Sequence, residues 1–244
     1  MMIYQALLTG RSSGKKSFAV LIDPDKYQPE LLSRVVKLSV EACVDFFFIG
    51  GSLLINDNHD RVISHIREHC RIPVLLFPGN NLQLSNKAHG ILLLSLISGR
   101  NPEMLIGRHV ISAPYLKASN LEILPTGYML IDSGSMTTVN YMSNTTPIPA
   151  GKDDIAVCTA MAGEMLGMKL IYMDAGSGAQ NAVPPTMIRS VKNAIGLPLI
   201  IGGGITTPSL AQTAFDSGAD MVVVGNAIEK DPSLITGIAG VRGT

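Results

Sequence analysis

The chain lacks an excess of either charge, a cysteine framework and any hydrophobic run long enough to cross a membrane. Among its 244 residues, 19 Lys and Arg balance 19 Asp and Glu, which argues against a nucleic-acid-binding protein because such proteins carry a basic excess. Its three cysteines are scattered, so they indicate small buried side chains in a reducing compartment. With 46% hydrophobic and 16% charged residues, the chain is too apolar to be disordered.

Targeting and membrane signals are also missing from the sequence. The longest apolar stretches, residues 46–55 and 90–99, are interrupted by Gly or Ser and are shorter than the roughly 18–20 residues of a membrane-spanning helix. The first residues are apolar only briefly and then become basic, the reverse of a signal peptide. These observations predict a soluble, cytoplasmic protein with no transmembrane segment.

Short apolar runs alternate with stretches of helical period along the chain. Runs predicted as strands are residues 17–23, 44–49, 73–77, 89–96, 126–131, 169–174, 197–201 and 221–224. Stretches predicted as helices are residues 29–41, 58–69, 101–110, 153–166, 185–195 and 208–217. Continuous apolar strands are typical of parallel sheets covered on both faces.

Eight such units in about 250 residues predict an α/β protein, a (β/α)8 TIM barrel. No linker or low-complexity segment divides the sequence, so residues 1–244 are expected to form a single barrel domain. The segment after the third strand is short and polar, and a loop in place of the third helix is expected there. A doubly wound open sheet is the alternative, but no Gly-x-Gly-x-x-Gly motif follows the first strand.

Glycine-rich segments follow the last three predicted strands. Residues 202–204 and 225–226 follow the seventh and eighth strands, whose loops often form a phosphate site in such barrels. Glycines let backbone N–H groups approach an anion closely, although they also serve tight turns. After the sixth strand, Asp174 is expected to point into the barrel mouth with Ser177 beside it, and a helix-capping role is the alternative.

Two polar residues follow the first two strands. Asp23 ends the first strand and Ser52 the second, whereas Asp25 and Lys26 are interpreted as turn residues. One carboxylate and one hydroxyl suffice for Mg²⁺, which keeps several waters and binds substrate phosphates. We therefore expect a second, phosphate-bearing substrate at this point, across the barrel mouth from the glycine loops.

Six short motifs occur in order at the predicted strand ends. They are LIDPDK (21–26), FFIGGS (47–52), LLFPGN (75–80), YMDAGSGA (172–179), IIGGGI (200–205) and VVGNAI (223–228). Each motif alone is weak, but the ordered set resembles the geranylgeranylglyceryl phosphate synthases and their heptaprenyl relatives. Leu21 favours the geranylgeranyl branch, because heptaprenyl relatives carry a basic residue at this position.

The resemblance implies an activity, a cofactor and partners. Enzymes of this family use Mg²⁺ to transfer a long prenyl chain from its diphosphate to the 3-hydroxyl of sn-glycerol 1-phosphate. We therefore expect a prenyltransferase of phospholipid biosynthesis with these two small-molecule substrates and, by analogy, a homo-oligomer. The prenyl chain needs an apolar groove, which we expect in residues 75–96.

The resemblance also assigns residues. It implies that Asp23 and Ser52 bind Mg²⁺ and that Asp174 and Tyr172 are catalytic, holding the glycerol hydroxyl. The implied glycerol phosphate site consists of Tyr172, Met173, Asp174, Ala175, Gly176, Ser177, Gly178, Gly203, Gly204, Gly225 and Asn226. Relatives usually carry glutamate at the position of Asp174, so the acid is shorter here by one methylene.

Two other functions remain open from the sequence. A barrel isomerase or lyase of a phosphorylated sugar could use Asp23 and Asp132 as an acid–base pair, although Asp132 also suits a turn. A non-catalytic barrel that binds a phosphorylated ligand is the second alternative. The His65-x-x-Glu68-His69 pattern matches a zinc motif but is interpreted as a solvated helix face away from the barrel mouth.

Overall fold

Eight parallel strands close into a barrel in sequence order in the computed structural model, which describes residues 2–53, 55–56, 58–80 and 83–243. The strands are β1 (Ser17–Ile22), β2 (Phe46–Ile49), β3 (Val74–Leu76), β4 (Gly90–Leu96), β5 (Glu122–Leu130), β6 (Leu170–Asp174), β7 (Leu199–Gly202) and β8 (Met221–Val224). β1 pairs with β8, with Ser17 beside Met221. The (β/α)8 barrel predicted from the sequence is confirmed.

Helices surround the barrel between most of the strands. They are α1 (Ile3–Ser12), α2 (Pro29–Glu41), α3 (His59–His69), α4 (Arg108–Ala118), α5 (Thr138–Ser143), α6 (Asp153–Met165), α7 (Pro185–Ala194), α8 (Pro208–Asp216), α9 (Asn226–Lys230) and α10 (Leu234–Gly240). A 3₁₀ turn (Pro24–Lys26) follows β1, and a π-helical turn (Glu103–Gly107) precedes α4. Over the described ranges, no helix combines the length and apolar character of a bilayer span.

The connection between β3 and β4 is a loop. Residues 77–80 and 83–89 contain no helix, as the short polar segment predicted. The predicted helix 101–110 differs more, because it starts as the π-helical turn and continues as α4 to Ala118 across Pro114. Proline usually ends a helix, so the sequence pattern gave no reason to extend this one.

Two apolar layers result from the alternation of side chains along each strand. Phe46 and Phe48 of β2 pack inside the barrel, whereas Phe47 and Ile49 face the surrounding helices. The interior is therefore filled with side chains, as expected for an eight-stranded barrel. A substrate site has to lie above this packed interior, at one end of the strands.

Helix α1, which the sequence analysis did not predict, covers the amino end of the barrel. Its Ile3 and Leu7 join the interior apolar layer. Glu122, the first residue of β5, accepts hydrogen bonds from the backbone N–H groups of Ile3 and Tyr4. A carboxylate satisfies these otherwise unpaired N–H groups and complements the positive end of the helix dipole. The carboxyl ends of the strands are left open.

Replacement of this cap tests the attachment of α1. Glu122→Ala is expected to lower the free energy of unfolding by about 1–3 kcal/mol, because two charge-assisted hydrogen bonds are lost. Urea denaturation measures the loss. Glu41→Ala is the matched control, since Glu41 makes only an exposed ion pair with Lys37 and should change stability by less than about 0.5 kcal/mol. Equal losses would contradict the capping role.

Candidate active site at the carboxyl ends of the strands

A cavity of about 650 Å³ opens at the carboxyl ends of the strands. We call it the strand-end cavity. Residues predicted from the sequence that line it are Asp23, Ser52, Tyr172, Asp174, Gly176, Ser177, Gly178, Gly203, Gly204, Gly225 and Asn226. The strand ends therefore bring together the residues that the motifs singled out.

Met173 and Ala175 are the exceptions among the predicted residues. Both side chains are fully buried in the layer between the strands and the helices, and neither residue is among those described as lining the cavity. Successive side chains of a strand point to opposite faces, so contact of Met173 or Ala175 with a bound acceptor would involve the backbone of these residues.

Asp174 is a nearly buried carboxylate with two hydrogen-bond donors. Its Oδ2 accepts a hydrogen bond of 2.6 Å from the Tyr128 hydroxyl, and its Oδ1 accepts one of 2.7 Å from the Gly176 backbone N–H. Only 7% of the residue is exposed, although it lines the strand-end cavity. The two donors fix the plane of the carboxyl group and leave lone pairs on both oxygens.

The protonation of this cluster follows from its burial. Burial raises the pKa of Asp174, while the hydrogen bonds from Tyr128 and Gly176 lower it and offset part of the effect. Burial and the nearby Asp174 charge raise the pKa values of Tyr128 and Tyr172 well above the usual tyrosine value. Both phenols therefore stay protonated at neutral pH, which leaves Asp174 as the proton acceptor of the cluster.

Three aromatic rings form the floor of the cavity beside this carboxylate. Tyr128 and Tyr172, register partners on β5 and β6, stack with ring centroids 5.5 Å apart. Phe77 packs against both rings, at 6.1 Å and 5.2 Å. A Cβ atom at Gly202 would lie 2.2 Å from the Tyr172 hydroxyl oxygen. The absence of a side chain at Gly202 therefore leaves room for the Tyr172 hydroxyl.

The glycine loop after β7 passes very close to Asp174. Gly203 has φ +76°, and a Cβ atom there would lie 2.5 Å from Asp174 Oδ1 and 2.7 Å from the Ala175 backbone nitrogen. Gly204 has φ +69° and is crowded by the backbone of Asn181. These positions need glycine for conformation and for space. Both line the cavity, where a phosphate could reach their backbone.

Asp23 and Asn226 lie side by side and not across the barrel mouth, which corrects the arrangement expected from the sequence. Closure of the barrel makes β1 and β8 neighbours. Lys26 Nζ lies 3.6 Å from Asp23 Oδ2, 3.3 Å from Asn226 Oδ1 and 2.7 Å from Glu229 Oε2. Asn226 also donates a 2.9 Å hydrogen bond to Ser177 Oγ. One polar network thus connects the loops after β1, β6 and β8.

Charge balance in this network depends on Lys26. Burial opposes its positive charge, but the hydrogen bond and charge of Glu229, together with Asp23, outweigh burial and raise the pKa of Lys26. Lys26 was interpreted as a turn residue from the sequence, but in the structure it also lines the strand-end cavity. Asp25 does behave as a loop residue, since its carboxylate accepts hydrogen bonds from the N–H groups of Ile55 and Asn56.

Asp23 and Ser52 provide the oxygen ligands that Mg²⁺ prefers. Asp23 keeps 24% of its side chain exposed, and its Oδ2 lies beyond direct hydrogen-bond distance of Lys26 Nζ at 3.6 Å. Oxygen lone pairs are therefore available on the cavity side. No group of three or more His, Cys, Asp or Glu suited to a metal occurs among the described residues. The donor set fits a cation that takes most of its ligands from water and phosphate.

An apolar groove of about 110 Å³ borders the strand-end cavity on the side of β3 and β4. We call it the side groove. Gly51, Ser52, Phe77 and Tyr128 line both spaces. Its apolar lining includes Leu84, Ile91, Leu93, Leu94, Leu96, Met104, Leu116, Val139 and Met142. Part of the lining comes from the expected segment 75–96, of which 81 and 82 lie outside the described residues, and the rest from α4, α5 and the π-helical turn.

Asp132 lies apart from the strand-end cavity. It is exposed, and its Oδ1 accepts a 3.0 Å hydrogen bond from the Gly134 N–H, which forms a turn. The structure therefore does not bring Asp132 together with Asp23 as an acid–base pair. His65 and His69 belong to α3, where their rings stack at 4.5 Å, and neither is among the described lining residues of the cavity.

A family model described as the PcrB family matches residues 12–241. The chain belongs to the PcrB family. Geranylgeranylglyceryl phosphate synthases of Spirosoma linguale and Chitinophaga pinensis are 54% and 53% identical to it, over 94% and 97% of this chain and 92% and 94% of theirs. The resemblance inferred from the motifs is confirmed, and the chain is an enzyme of the prenyltransferase class.

A solved structure supports the same family at the level of the fold. The (S)-3-O-geranylgeranylglyceryl phosphate synthase of Thermoplasma acidophilum, in complex with its substrate sn-glycerol-1-phosphate, superimposes with a TM-score of 0.93. It is 31% identical, and the match covers 99% of this chain and 98% of that one. Membership of the PcrB family therefore has both sequence and structural support.

Three residues of this PcrB-family site were not predicted from the sequence: Tyr128, Lys26 and Glu229. Tyr128 lies in an apolar strand, TGYMLI, two residues before Leu130, which also faces the barrel interior. Tyr128 could have been recognised as a site residue because its hydroxyl lies at an inward-facing position near the end of a strand. Glu229 had no comparable signal, because only barrel closure brings α9 next to β1.

Crowding at Gly203 can be separated from its backbone conformation. Gly178 has nearly the same φ, +77° against +76°, but a Cβ atom there would meet nothing within 4 Å. We expect Gly178→Ala to cost about 1–2 kcal/mol of unfolding free energy from φ strain. Gly203→Ala should cost about 1–3 kcal/mol more, from the clash with Asp174 Oδ1 and the backbone nitrogens of Ala175 and Gly176. Urea denaturation measures both values. Equal costs would contradict close packing of this loop on Asp174.

Proposed function

We propose that the protein transfers a geranylgeranyl-like prenyl chain from its diphosphate to the 3-hydroxyl of sn-glycerol 1-phosphate in a Mg²⁺-dependent reaction of lipid biosynthesis. The observation that carries this proposal is that the strand-end cavity, with its charged and polar groups, and the apolar side groove share lining residues. The lining of the first suits a phosphorylated acceptor, and the lining of the second suits part of a hydrocarbon chain. The names of the relatives support the same substrates.

The acceptor would bind in the strand-end cavity with its two ends held by different loops. Its phosphate would lie against the loops after β7 and β8, near Gly204, Gly225 and Asn226, where backbone N–H groups and an amide side chain can bind an anion. Its hydroxyl end would reach Asp174 and the neighbouring Tyr172. Two anchors orient the acceptor, which lowers the entropic part of the barrier.

The donor would place its hydrocarbon chain in the side groove and its diphosphate in the strand-end cavity. Burial of each methylene contributes roughly 0.8 kcal/mol, so an apolar lining selects long chains. Ser52, Phe77 and Tyr128 line both spaces. The first carbon of the chain would therefore lie near these residues, within reach of the acceptor hydroxyl.

Asp23 and Ser52 would hold the Mg²⁺, and Lys26 would add a second positive charge beside the phosphates. The cation, when bound, supplies positive charge that stabilises the diphosphate as it departs. Lys26 lies between Asp23 and Asn226, so its ammonium group can also neutralise phosphate oxygens at the boundary of the two substrates. Glu229 holds Lys26 in this position through a 2.7 Å contact.

The proposed chemistry needs one proton acceptor and one stabilised leaving group. The acceptor oxygen forms a bond to the first carbon of the prenyl chain while the bond from that carbon to the diphosphate oxygen breaks. The electron pair of the broken bond leaves with the diphosphate, and the hydroxyl proton moves to Asp174. Asp174 suits this role because it is ionisable, faces the cavity and has lone pairs available.

Product analysis with defined substrates tests the proposal. The protein is incubated with Mg²⁺, sn-glycerol 1-phosphate and farnesyl, geranylgeranyl or heptaprenyl diphosphate, and the ether product is identified by mass spectrometry. We expect the geranylgeranyl product, with sn-glycerol 3-phosphate and a Mg²⁺-free reaction as controls. Turnover of a phosphorylated sugar without Mg²⁺ would favour the isomerase, and binding without any turnover would favour the non-catalytic barrel.

Asp23→Asn separates the two substrates. Asp23 is a proposed metal ligand and meets the acceptor side through Lys26, so turnover should fall by about a hundredfold or more, while sn-glycerol 1-phosphate should still bind at the loops after β7 and β8. Steady-state kinetics across a Mg²⁺ titration and calorimetry of acceptor binding give the two values. Loss of acceptor binding in this variant would contradict the division of the site into two halves.

Asp174→Asn tests the contact with the acceptor hydroxyl. A hydrogen bond to a charged group contributes on the order of 1.5–3 kcal/mol, so kcat/KM for sn-glycerol 1-phosphate should fall roughly 10- to 150-fold. Asp174→Glu keeps the charge and should stay within about tenfold of the original activity. Asp132→Asn is the matched control outside the cavity and should leave kinetics unchanged. Normal kinetics of Asp174→Asn would show that Asp174 is only a structural residue.

A further inference from the structure

Tyr128 connects the side groove, the strand-end cavity and the buried carboxylate of Asp174. Its ring lines both the strand-end cavity and the side groove, and it packs on Tyr172 and Phe77. Its hydroxyl donates a 2.6 Å hydrogen bond to Asp174 Oδ2. No other described residue joins the groove wall to the buried carboxylate through a single side chain.

The direction of this hydrogen bond decides what Tyr128 can do. Burial and the Asp174 charge raise the pKa of the phenol well above its usual value, so the hydroxyl stays protonated and acts as a donor. A donor to a carboxylate stabilises its charged form. Without it, Asp174 would keep only the Gly176 N–H as a described partner, and its charged form would be less favourable.

Orientation is the second effect of the same contact. With donors on opposite oxygens, from Tyr128 on β5 and from Gly176 after β6, the carboxyl plane cannot rotate freely. Gly203 leaves the space that this orientation needs, since a Cβ atom there would lie 2.5 Å from Asp174 Oδ1. The free lone pairs therefore point in fixed directions toward the cavity.

We propose that Tyr128 is a positioning residue, which holds Asp174 ionised and oriented to take the proton of the acceptor hydroxyl. This inference rests on the proposed function for the identity of the acceptor. Through its ring, Tyr128 also marks the point where the prenyl chain passes from the groove to the reacting oxygen. The residue acts through Asp174 and does not itself exchange a proton.

The decisive variant is Tyr128→Phe, which removes the hydroxyl and keeps the ring. We expect kcat/KM for the acceptor to fall by about tenfold to a hundredfold. Loss of the donor raises the Asp174 pKa, and a base is active only when deprotonated, so the acid limb of the pH profile should move to higher pH. Tyr115→Phe, at an exposed tyrosine on α4, is the matched control and should change neither quantity.

A double-mutant cycle separates positioning from packing. In the Asp174→Asn background, Tyr128→Phe should have little further effect on kcat/KM, because the residue acts through the carboxylate. A purely structural role would give the same fold-loss in both backgrounds and leave the pH profile in place. Either of these two results would overturn the inference.

Titration of the carboxyl group gives an answer that does not depend on turnover. Carbon-13 NMR of labelled aspartate, recorded without substrates, measures the Asp174 pKa in the original protein and in Tyr128→Phe, with Asp174→Asn used to assign the signal. We expect a higher pKa in Tyr128→Phe, and an unchanged value would overturn the inference. Failure of the proposed function would appear separately, as no prenyl ether product from the original protein.

Discussion

The burial of one carboxylate, Asp174, constrains the architecture of the site. A charged group removed from water needs compensating hydrogen bonds, and Asp174 receives them from Tyr128 and from the backbone after β6. The neighbouring loop also depends on it, since Gly203 leaves room for its Oδ1. In the proposed site, the glycines after β7 therefore shape both the part that would hold the acceptor hydroxyl and the part that would hold its phosphate.

Closure of the barrel provides the second constraint. Since β1 and β8 are hydrogen-bonded neighbours, residues at the two ends of the chain meet in one network through Lys26. The metal side and the phosphate side of the proposed site are thus adjacent. On the opposite flank, the loop between β3 and β4 leaves space against α4 that a helix would have filled, and this space is the side groove.

Much of the fold could be predicted because each strand is apolar on both faces. The runs that became β1, β6 and β8 match their predicted bounds within about one residue at each end. Helix α1 was missed because it buries only Ile3 and Leu7, too few apolar positions to show a helical period. The site residues could be predicted because they follow strand ends and belong to family motifs, and both features can be located in the sequence.

Side-chain direction and contacts between distant loops were harder to predict. Met173 was assigned to the site as part of the family motif 172–178, but strand alternation turns its side chain outward. Tyr128 was overlooked because a tyrosine within an apolar run resembles an ordinary residue of the hydrophobic core. Its partner Asp174 also lies 46 positions away in the sequence. Such pairings depend on strand register, and strands that are apolar on both faces lack the alternating pattern that would fix it.

A crystal structure with sn-glycerol 1-phosphate and a non-reactive geranylgeranyl thiodiphosphate bound together would test the proposed site most directly. The account predicts the acceptor phosphate against the loops after β7 and β8, its 3-hydroxyl within hydrogen-bond distance of Asp174, and the prenyl chain in the side groove beyond Phe77 and Tyr128. A prenyl chain bound outside that groove, or an acceptor hydroxyl turned away from Asp174, would contradict it.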